Sequence, residues 1–515
     1  MRVKRLLGVT KVRQCMRVGD VSPNIAIVPF NNDISTLERA VKERVFFVKD
    51  GAGFARPPKP LAGMFGSRLE ASTALLKPFL PSTAPISHQQ FVDACPSRKR
   101  KVYEKALEEI QVGGLDLKRD SKVKVFVKYE KTDRTSKKDP VPRVISPRDP
   151  KFNIAIGRYL KPIEERIFKA IGKLYGHPTV MKGMDTDRVA AVLKEKWDMF
   201  DKPVAIGLDA SRFDQHVSKE ALQYEHSVYE LCFPSKKHRR KLRNLLKCQL
   251  ENHCHGFTED GKLEYVTDGG RMSGDMNTSL GNCILMCMMV HAYGKSRGVK
   301  IQLANNGDDC VVVLEQRDLS KFSQGLFEWF LEMGFNMTIE PPAYEFEHIE
   351  FCQCRPVFDG RIYTMCRNPI TAIAKDSVYL KHPDQHVTYP AWLHAVGTGG
   401  LALAGGMPIF DSFYRCYLRS ASEKWYSSRN KRYHTLGRVD DSLPWFMREM
   451  GITGRRVSCE PTPKSRLSFW LAWGVTPDEQ IALERYYDSL SLSTDLLAVG
   501  GFQPRRPFAE PEDCV

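Results

Sequence analysis

Two short apolar runs that stop on acids constrain this chain more than any other feature. Pro203-Val-Ala-Ile-Gly-Leu208 reads as a strand ending at Asp209, with a second acid, Asp214, in the turn that follows. Further on, Ile301-Gln-Leu-Ala and Cys310-Val-Val-Val-Leu314 flank Asn305-Asn306-Gly307. Asparagine and glycine tolerate φ > 0, so this combination favours a tight hairpin. Asp308 and Asp309 then fall at the hairpin tip. A strand that ends in an acid presents its carboxylate at the sheet edge, where a cation can reach it. Adjacent like charges repel there unless cations neutralise them. A solvated turn carrying two acids is the other reading of the hairpin taken alone.

Such carboxylates suit phosphoryl transfer, in which two divalent ions about 3.5–4 Å apart clamp the attacking and leaving oxygens. Mg²⁺ takes oxygen ligands, few of them from protein, and lets substrate phosphates complete its octahedron. Asp209, Asp308 and Asp309 are therefore the candidate catalytic residues and ligands for two Mg²⁺ (or Mn²⁺) ions. Between them lies Ser273-Gly-Asp-Met-Asn-Thr278-Ser-Leu-Gly-Asn282, running into an apolar helix. Gly269, Gly270 and Gly274 permit close backbone approach, and a helix start favours phosphate. A helix capped by Asn or Ser is the plainer alternative.

The bulk numbers agree with a globular nucleic-acid partner but do not prove one. The chain has 515 residues, 42% hydrophobic and 27% charged, with 77 Lys and Arg against 61 Asp and Glu. A net charge of +16 suits a polyanion, because each neutralised phosphate releases counterions. Disorder is excluded for most of the chain. The 14 cysteines are scattered, no secretory signal is evident, and a reducing compartment is expected. Cys352 and Cys354, and His253-Cys254-His255, have the wrong spacing for a structural zinc site. No apolar run reaches the roughly 18–20 residues that span a bilayer; the longest, Cys283 to Val290, is core-sized.

Along the chain, a basic start (Arg2, Lys4, Arg5, Lys11, Arg13, Arg17) leads to a short strand near Ile25–Phe30 and a helix near Ile34–Val45. Arg56-Pro-Pro-Lys-Pro is rigid punctuation. Lys122-Val-Lys-Val-Phe-Val-Lys-Tyr129 alternates strictly, a strand with valines on one face and lysines on the other. A basic, proline-rich turn, Lys137 to Arg148, follows, and then a helix with apolar positions at Ile156, Leu160, Ile163, Ile167 and Ile171. From about 375 the chain is mainly helical, with a flexible glycine-rich piece at Gly397–Gly406. Gly294-Lys295-Ser296-Arg297-Gly298 mimics both a hydrolase elbow and a Walker A ending. A helix precedes it where an elbow needs a strand, and Met289 stands where the first P-loop glycine must be.

Taken in order, Asp209-x4-Asp214, Ser273-Gly-x3-Thr278-x3-Asn282 and Gly307-Asp308-Asp309 resemble motifs A, B and C of viral RNA-dependent RNA polymerases. Pro142-Arg-Val-Ile-Ser-Pro-Arg148, Gly157-Arg-Tyr-Leu-Lys-Pro162, Asp209-Ala-Ser-Arg-Phe-Asp214 and Glu350-Phe-Cys-Gln353 resemble the replicases of tombusvirus-like plant plus-strand viruses, including umbraviruses. The resemblance covers roughly residues 90–370.

It implies an α+β right-hand polymerase. An N-terminal basic extension would occupy 1–60, fingers 61–200 with an insertion at 219–264, palm 201–218 and 265–374, and a helical thumb 375–515. It implies that Asp214, Ser273, Thr278 and Asn282 sense the NTP ribose. Lys128 and Arg143 would steady the triphosphate or template, with Arg148 assisting. It further implies RNA template and nascent strand as partners, primer-independent initiation, and a membrane-anchored viral accessory replicase protein. The replication complexes would sit on membranes in the host cytoplasm. No motif D lysine is evident around Gly334; Lys321 is a loose candidate. A reverse transcriptase resembles this set but carries a bulky aromatic where Asp214 stands, and dNTP-versus-rNTP incorporation separates the two. A non-catalytic RNA-binding scaffold explains the charge without the three aspartates; metal-dependent synthesis would exclude it.

Overall fold

The computed structural model describes residues 1–427, 460–492 and 496–499, apart from 11, 20, 22–25, 52, 137–138 and 381–387. Helices and mainly antiparallel strands are mixed along it, the α+β class expected. The sheet that matters most runs Ile301–Asn306, Asp309–Glu315, Pro203–Ala210, Met337–Ile339, all antiparallel. Ile206, Leu208, Val312 and Leu314 enter one core with the helix Thr278–Arg297. Ala205, Val311 and Val313 enter another with Val189, Val192 and Leu193 of the helix Thr186–Trp197. Covered on both faces, these strands read as apolar runs rather than as alternation. The Cys283–Val290 run is fully buried inside its helix. Among the described residues no helix is long and apolar enough to cross a membrane.

A second sheet has the order Arg2–Arg5, Gly261–Asp268, Glu251–Thr258, Val123–Val127, Val144–Ile145. Here the alternation read from sequence holds: Val123, Val125 and Val127 are buried against Ile34, Leu37 and Val41 of the helix Ile34–Val41, and Lys122 and Lys124 are exposed. The first sixty residues are woven into this body rather than appended to it. Arg2–Arg5 is an edge strand, and Cys15–Val18 pairs with Val378–Tyr379 and Leu496–Val499. Strands this short carry too few residues for periodicity to register.

Two other expectations change. The run from Ile156 to Ile171 is two helices, Pro150–Leu160 and Glu164–Tyr175, broken around Pro162, which cannot sit inside a helix without loss of a hydrogen bond. The glycines at 397 and 400 lie within the helix Thr388–Ala404. A Cβ at Gly397 would come within 2.9 Å of Leu418, and one at Gly400 within 2.1 Å of the Tyr414 ring. Those glycines let the helix Phe410–Ser427 pack close; they do not mark flexibility. Residues 428–459, 493–495 and 500–515 lie outside the described residues, and the helical reading there with them. Among the described residues no cysteine is in a disulfide.

Candidate active site

Register alone brings the distant acids together. In the pairing of Asp309–Glu315 with Pro203–Ala210, Asp309 stands directly opposite Asp209. Directly opposed residues hold their Cβ atoms about 4.5–5.5 Å apart. Asp308 precedes Asp309 in the two-residue turn Gly307–Asp308, closed by the pair Asn306 and Asp309. Gly307 has φ +84, the first-position glycine that a two-residue hairpin turn of this hand requires. Beneath the tip, buried Asn305 braces the turn: its Nδ2 donates to the Gly307 carbonyl at 2.7 Å, and its backbone is bonded to Thr179 and Met181.

All three aspartates are exposed, and no Lys or Arg forms a salt bridge with any of them among the described residues. Burial by its surroundings raises the Asp309 carboxyl above its ordinary value, and the charges of Asp308, Asp209 and Glu350 add to that. Glu340, one strand away, is raised by burial and by Glu350, Asp209 and Asp309. Like charge thus accumulates at one sheet end. Oxygen donors in mutual repulsion fit a divalent cation. They do not form a finished cage: among the described residues no three carboxylates, thiols or imidazoles converge on a common point.

Asp214 and Asn282 meet. Asn282 Nδ2 donates to Asp214 Oδ1 at 2.9 Å, and burial, with the charge of Asp308, raises the Asp214 carboxyl against the pull of Asn282 and Arg271. Behind them lies a network that sequence reasoning missed. Arg271 Nε donates to Asn282 Oδ1 at 2.9 Å, and its guanidinium grips Glu225. Glu225 also accepts from Asn277 and Tyr229, at 2.7 Å each. Arg271 and Glu225 are both fully enclosed. Asn277 occupies the N-cap position of the helix Thr278–Arg297 but makes no cap with its side chain; its amide belongs to this network.

Ser273 and Thr278 are not brought to the pair. Ser273 donates to the Val144 carbonyl at 3.1 Å, and Thr278 to those of Met272 and Asp275 at 2.8 and 3.0 Å. Their hydroxyls shape the turn that delivers Asn282.

The two arginines of the basic turn part company. Arg143 is exposed and shares Glu130 with Lys128. Its guanidinium is raised first by Glu130 and then by the charges of Asp308 and Asp214, so it stands in the field of the acidic site. Arg148 is enclosed and, against the expectation from the resemblance, does not face the acids' open side with a free donor. It donates to Asp275, Asn252 and the carbonyls of Ser121 and Cys248. All five of its N–H groups are committed, so none remains for a triphosphate. Arg44, overlooked in the sequence, approaches instead. Burial lowers its pKa to about 10, with Arg212 and Arg143 adding repulsion, and its Nε is buried without a partner. Lys321 donates to Gly298 at the far end of the 20-residue helix, away from the acids.

Asp209 and Asp309 thus face each other by sheet register, with Asp308 in the adjoining turn and the Asp214–Asn282 pair beside them. A family model described as "Viral RNA dependent RNA polymerase" matches residues 1–495. The chain belongs to that family. It is 69% identical over 99% of its length to the RNA-directed RNA polymerase of oat chlorotic stunt virus, covering 69% of that protein. It is 41% identical to the polymerase of tobacco necrosis virus and 39% identical to that of turnip crinkle virus. Those matches cover 94% and 96% of this chain, and 65% and 62% of the relatives. The chain thus spans about two thirds of the length of these viral polymerases. The resemblance first seen over the central motifs extends into the ends, including the first sixty residues.

Proposed function

We propose that this chain replicates a plus-strand viral RNA by adding ribonucleotides to a 3′ end, with Asp209, Asp308 and Asp309 holding two Mg²⁺ or Mn²⁺ ions. The observation that carries this reading is the register placing Asp209 opposite Asp309 at an open sheet end, beside the Gly307–Asp308 turn. Bound there, the ions would activate the attacking 3′-OH and neutralise charge on the phosphates.

The remaining work falls to this chain's own side chains. Arg143 and Lys128, released from Glu130, would pair with triphosphate oxygens, arginine in a fork and lysine as a point charge. Arg44 and Arg212 face the same corner. Three guanidiniums sharing little carboxylate lose repulsion when an anion joins them. Asp214 and Asn282, held by Arg271, would accept and donate at the ribose 2′-OH and so favour ribonucleotides. In this reading the acid-bearing sheet is the palm, the five-stranded sheet belongs to the fingers, and the helices after 375 form the thumb. Primer-independent initiation, a membrane-anchored accessory replicase protein and membrane-associated complexes in the host cytoplasm belong to the same proposal. They rest on the family alone.

The deciding experiment is synthesis on an RNA template without primer, comparing wild type with Asp308→Ala. Product from the wild type, dependent on Mg²⁺ or Mn²⁺ and absent in the variant, is expected. Comparable product from both would overturn the assignment.

A further inference from the structure

Outside the acid site, the most unusual surface is the outward face of the five-stranded sheet. Its inward face is closed by the valines of Val123–Val127 and the helix Ile34–Val41. Two phenylalanines stand on the outward face. Phe257 is 57% exposed and Phe126 36% exposed. Alternation puts Phe126 on one side with Lys122, Lys124 and Lys128. In the neighbouring strand, His255 pairs with Lys124 in register, and Phe257 follows two residues on, on the same face. His255 and Phe257 contact edge to face, with ring centroids 5.6 Å apart.

The charge on this face is uncompensated at one row. Neither Lys122 nor Lys124 has a carboxylate partner among the described residues, and both depress the imidazole of His255, after burial, which acts first. Arg2 and Lys4 border the face from the edge strand. Three acids interrupt it: Glu264, beside Lys262 at 3.8 Å, Glu251, beside His253 at 3.0 Å, and Asp268, opposite Glu251 and bonded to Lys219 at 2.8 Å. A groove of about 1280 Å³ runs along it. Exposed rings among unpaired lysines match the chemistry of single-stranded nucleic acid, whose bases stack on aromatics while cations follow its backbone. Duplex RNA offers no free base face to such rings.

The face also leads somewhere. The Lys128 N–H donates to the Arg143 carbonyl at 2.8 Å, so the Lys122–Lys128 row ends at the basic corner in the field of Asp308. Six residues of strand span about 20 Å. The motif B turn abuts the same edge: a Cβ on Gly274 would lie 2.6 Å from Pro147, whose carbonyl accepts from Lys124.

We propose that this outward face is a track for single-stranded RNA, with Lys122 and Lys124 on backbone phosphates and Phe126 and Phe257 stacking bases, feeding the strand toward Lys128 and Arg143. The direction of the track rests on the polymerase reading; its binding does not.

The test uses the full chain, a fluorescein-labelled oligouridine, and anisotropy titrations over a range of salt. Lys122→Ala/Lys124→Ala is expected to weaken binding and to flatten the plot of log affinity against log salt by about 1.4, since each single-strand phosphate contact contributes about 0.7. Phe257→Ala is expected to weaken binding about tenfold with the salt slope unchanged, as loss of one stacked base does. These exposed positions leave the fold intact, checked by unchanged thermal melting.

Wild-type affinity and slope in both variants would overturn the track. So would equal competition by duplex RNA, or loss of binding to phosphatidylserine vesicles with RNA binding retained. If the variants lose RNA binding while the wild type synthesises nothing, the track stands and the polymerase reading falls. If synthesis is normal and the variants bind as wild type, only the track falls.

Discussion

The acid edge and the polar network behind it hold similar groups in opposite states. At the edge, Asp209, Asp308 and Asp309 are exposed and crowd their own kind. A helix away, Glu225 is fully enclosed yet meets Arg271, Asn277 and Tyr229. Burial acts to raise the Glu225 carboxyl, and Arg271 overcomes it, holding the group below its ordinary value. The edge keeps charge without a counterion and so has something to offer a ligand. The network has satisfied its charge internally and offers rigidity. The same contrast separates Arg143, exposed on one shared carboxylate, from Arg148, with every donor committed. Reactivity and stability are divided between neighbouring residues of like chemistry.

The division can be broken at its strongest point first. Asp308→Ala should lower incorporation ~10³-fold or more, since charge stabilisation of several kcal/mol is removed. Stability to urea should stay within about 0.5 kcal/mol of wild type. Glu225→Ala should do the reverse in kind, costing ~3–5 kcal/mol by leaving Arg271 buried and unpaired. A large stability loss in the first variant, or none in the second, would erase the contrast.

The arginines sharpen it at a smaller scale. Arg148→Ala should cost ~2–3 kcal/mol in denaturant unfolding, because Asp275 loses its buried partner. Arg143→Ala should leave unfolding unchanged and raise the KM for NTP about tenfold or more, the loss of one charged fork. Steady-state kinetics beside melting curves on both variants tests the pair. Asn282→Ala, which takes the partner from Asp214, should lower the preference for rNTP over dNTP by about tenfold, read in competition assays.

Acid titration gives the smallest and most general test. The fold raises Asp309, so its charged form is disfavoured at neutral pH, and that penalty vanishes as pH falls through the raised value. Metal needs the carboxylate, so Mg²⁺ affinity measured calorimetrically should fall as pH drops through that raised value, above where an ordinary aspartate titrates, without loss of fold. Glu225 is depressed, so its stabilisation is present above its ordinary value and is lost only as pH falls through the lower folded one. Unfolding should therefore trail the loss of metal binding. Coincident transitions would contradict the two-state picture of edge and network.

Much of this was legible in residue order. The strand before Asp209, the hairpin at Gly307 and the lysine–valine alternation at 122–128 are local patterns with local causes. Asp214 and Asn282 were named by the resemblance to viral polymerases; the hydrogen bond between them came with the fold. What escaped notice had no local signature. Arg143 and Arg148 sit in one proline-rich turn with similar neighbours, and only the partners folding brings, Glu130 for one and Asp275 for the other, distinguish them. Ser273 and Thr278 looked like ribose donors, yet turn carbonyls lay nearer. Gly397 and Gly400 read as flexible because what they pack against, Leu418 and the ring of Tyr414, lies on the next helix.

By itself the sequence determined which residues could carry charge to a sheet edge, because strand period and turn chemistry act over a few neighbours. Tertiary structure alone decided which of those charges stayed free. Freedom depends on burial and on partners from distant segments, and these exist only once the chain has closed on itself.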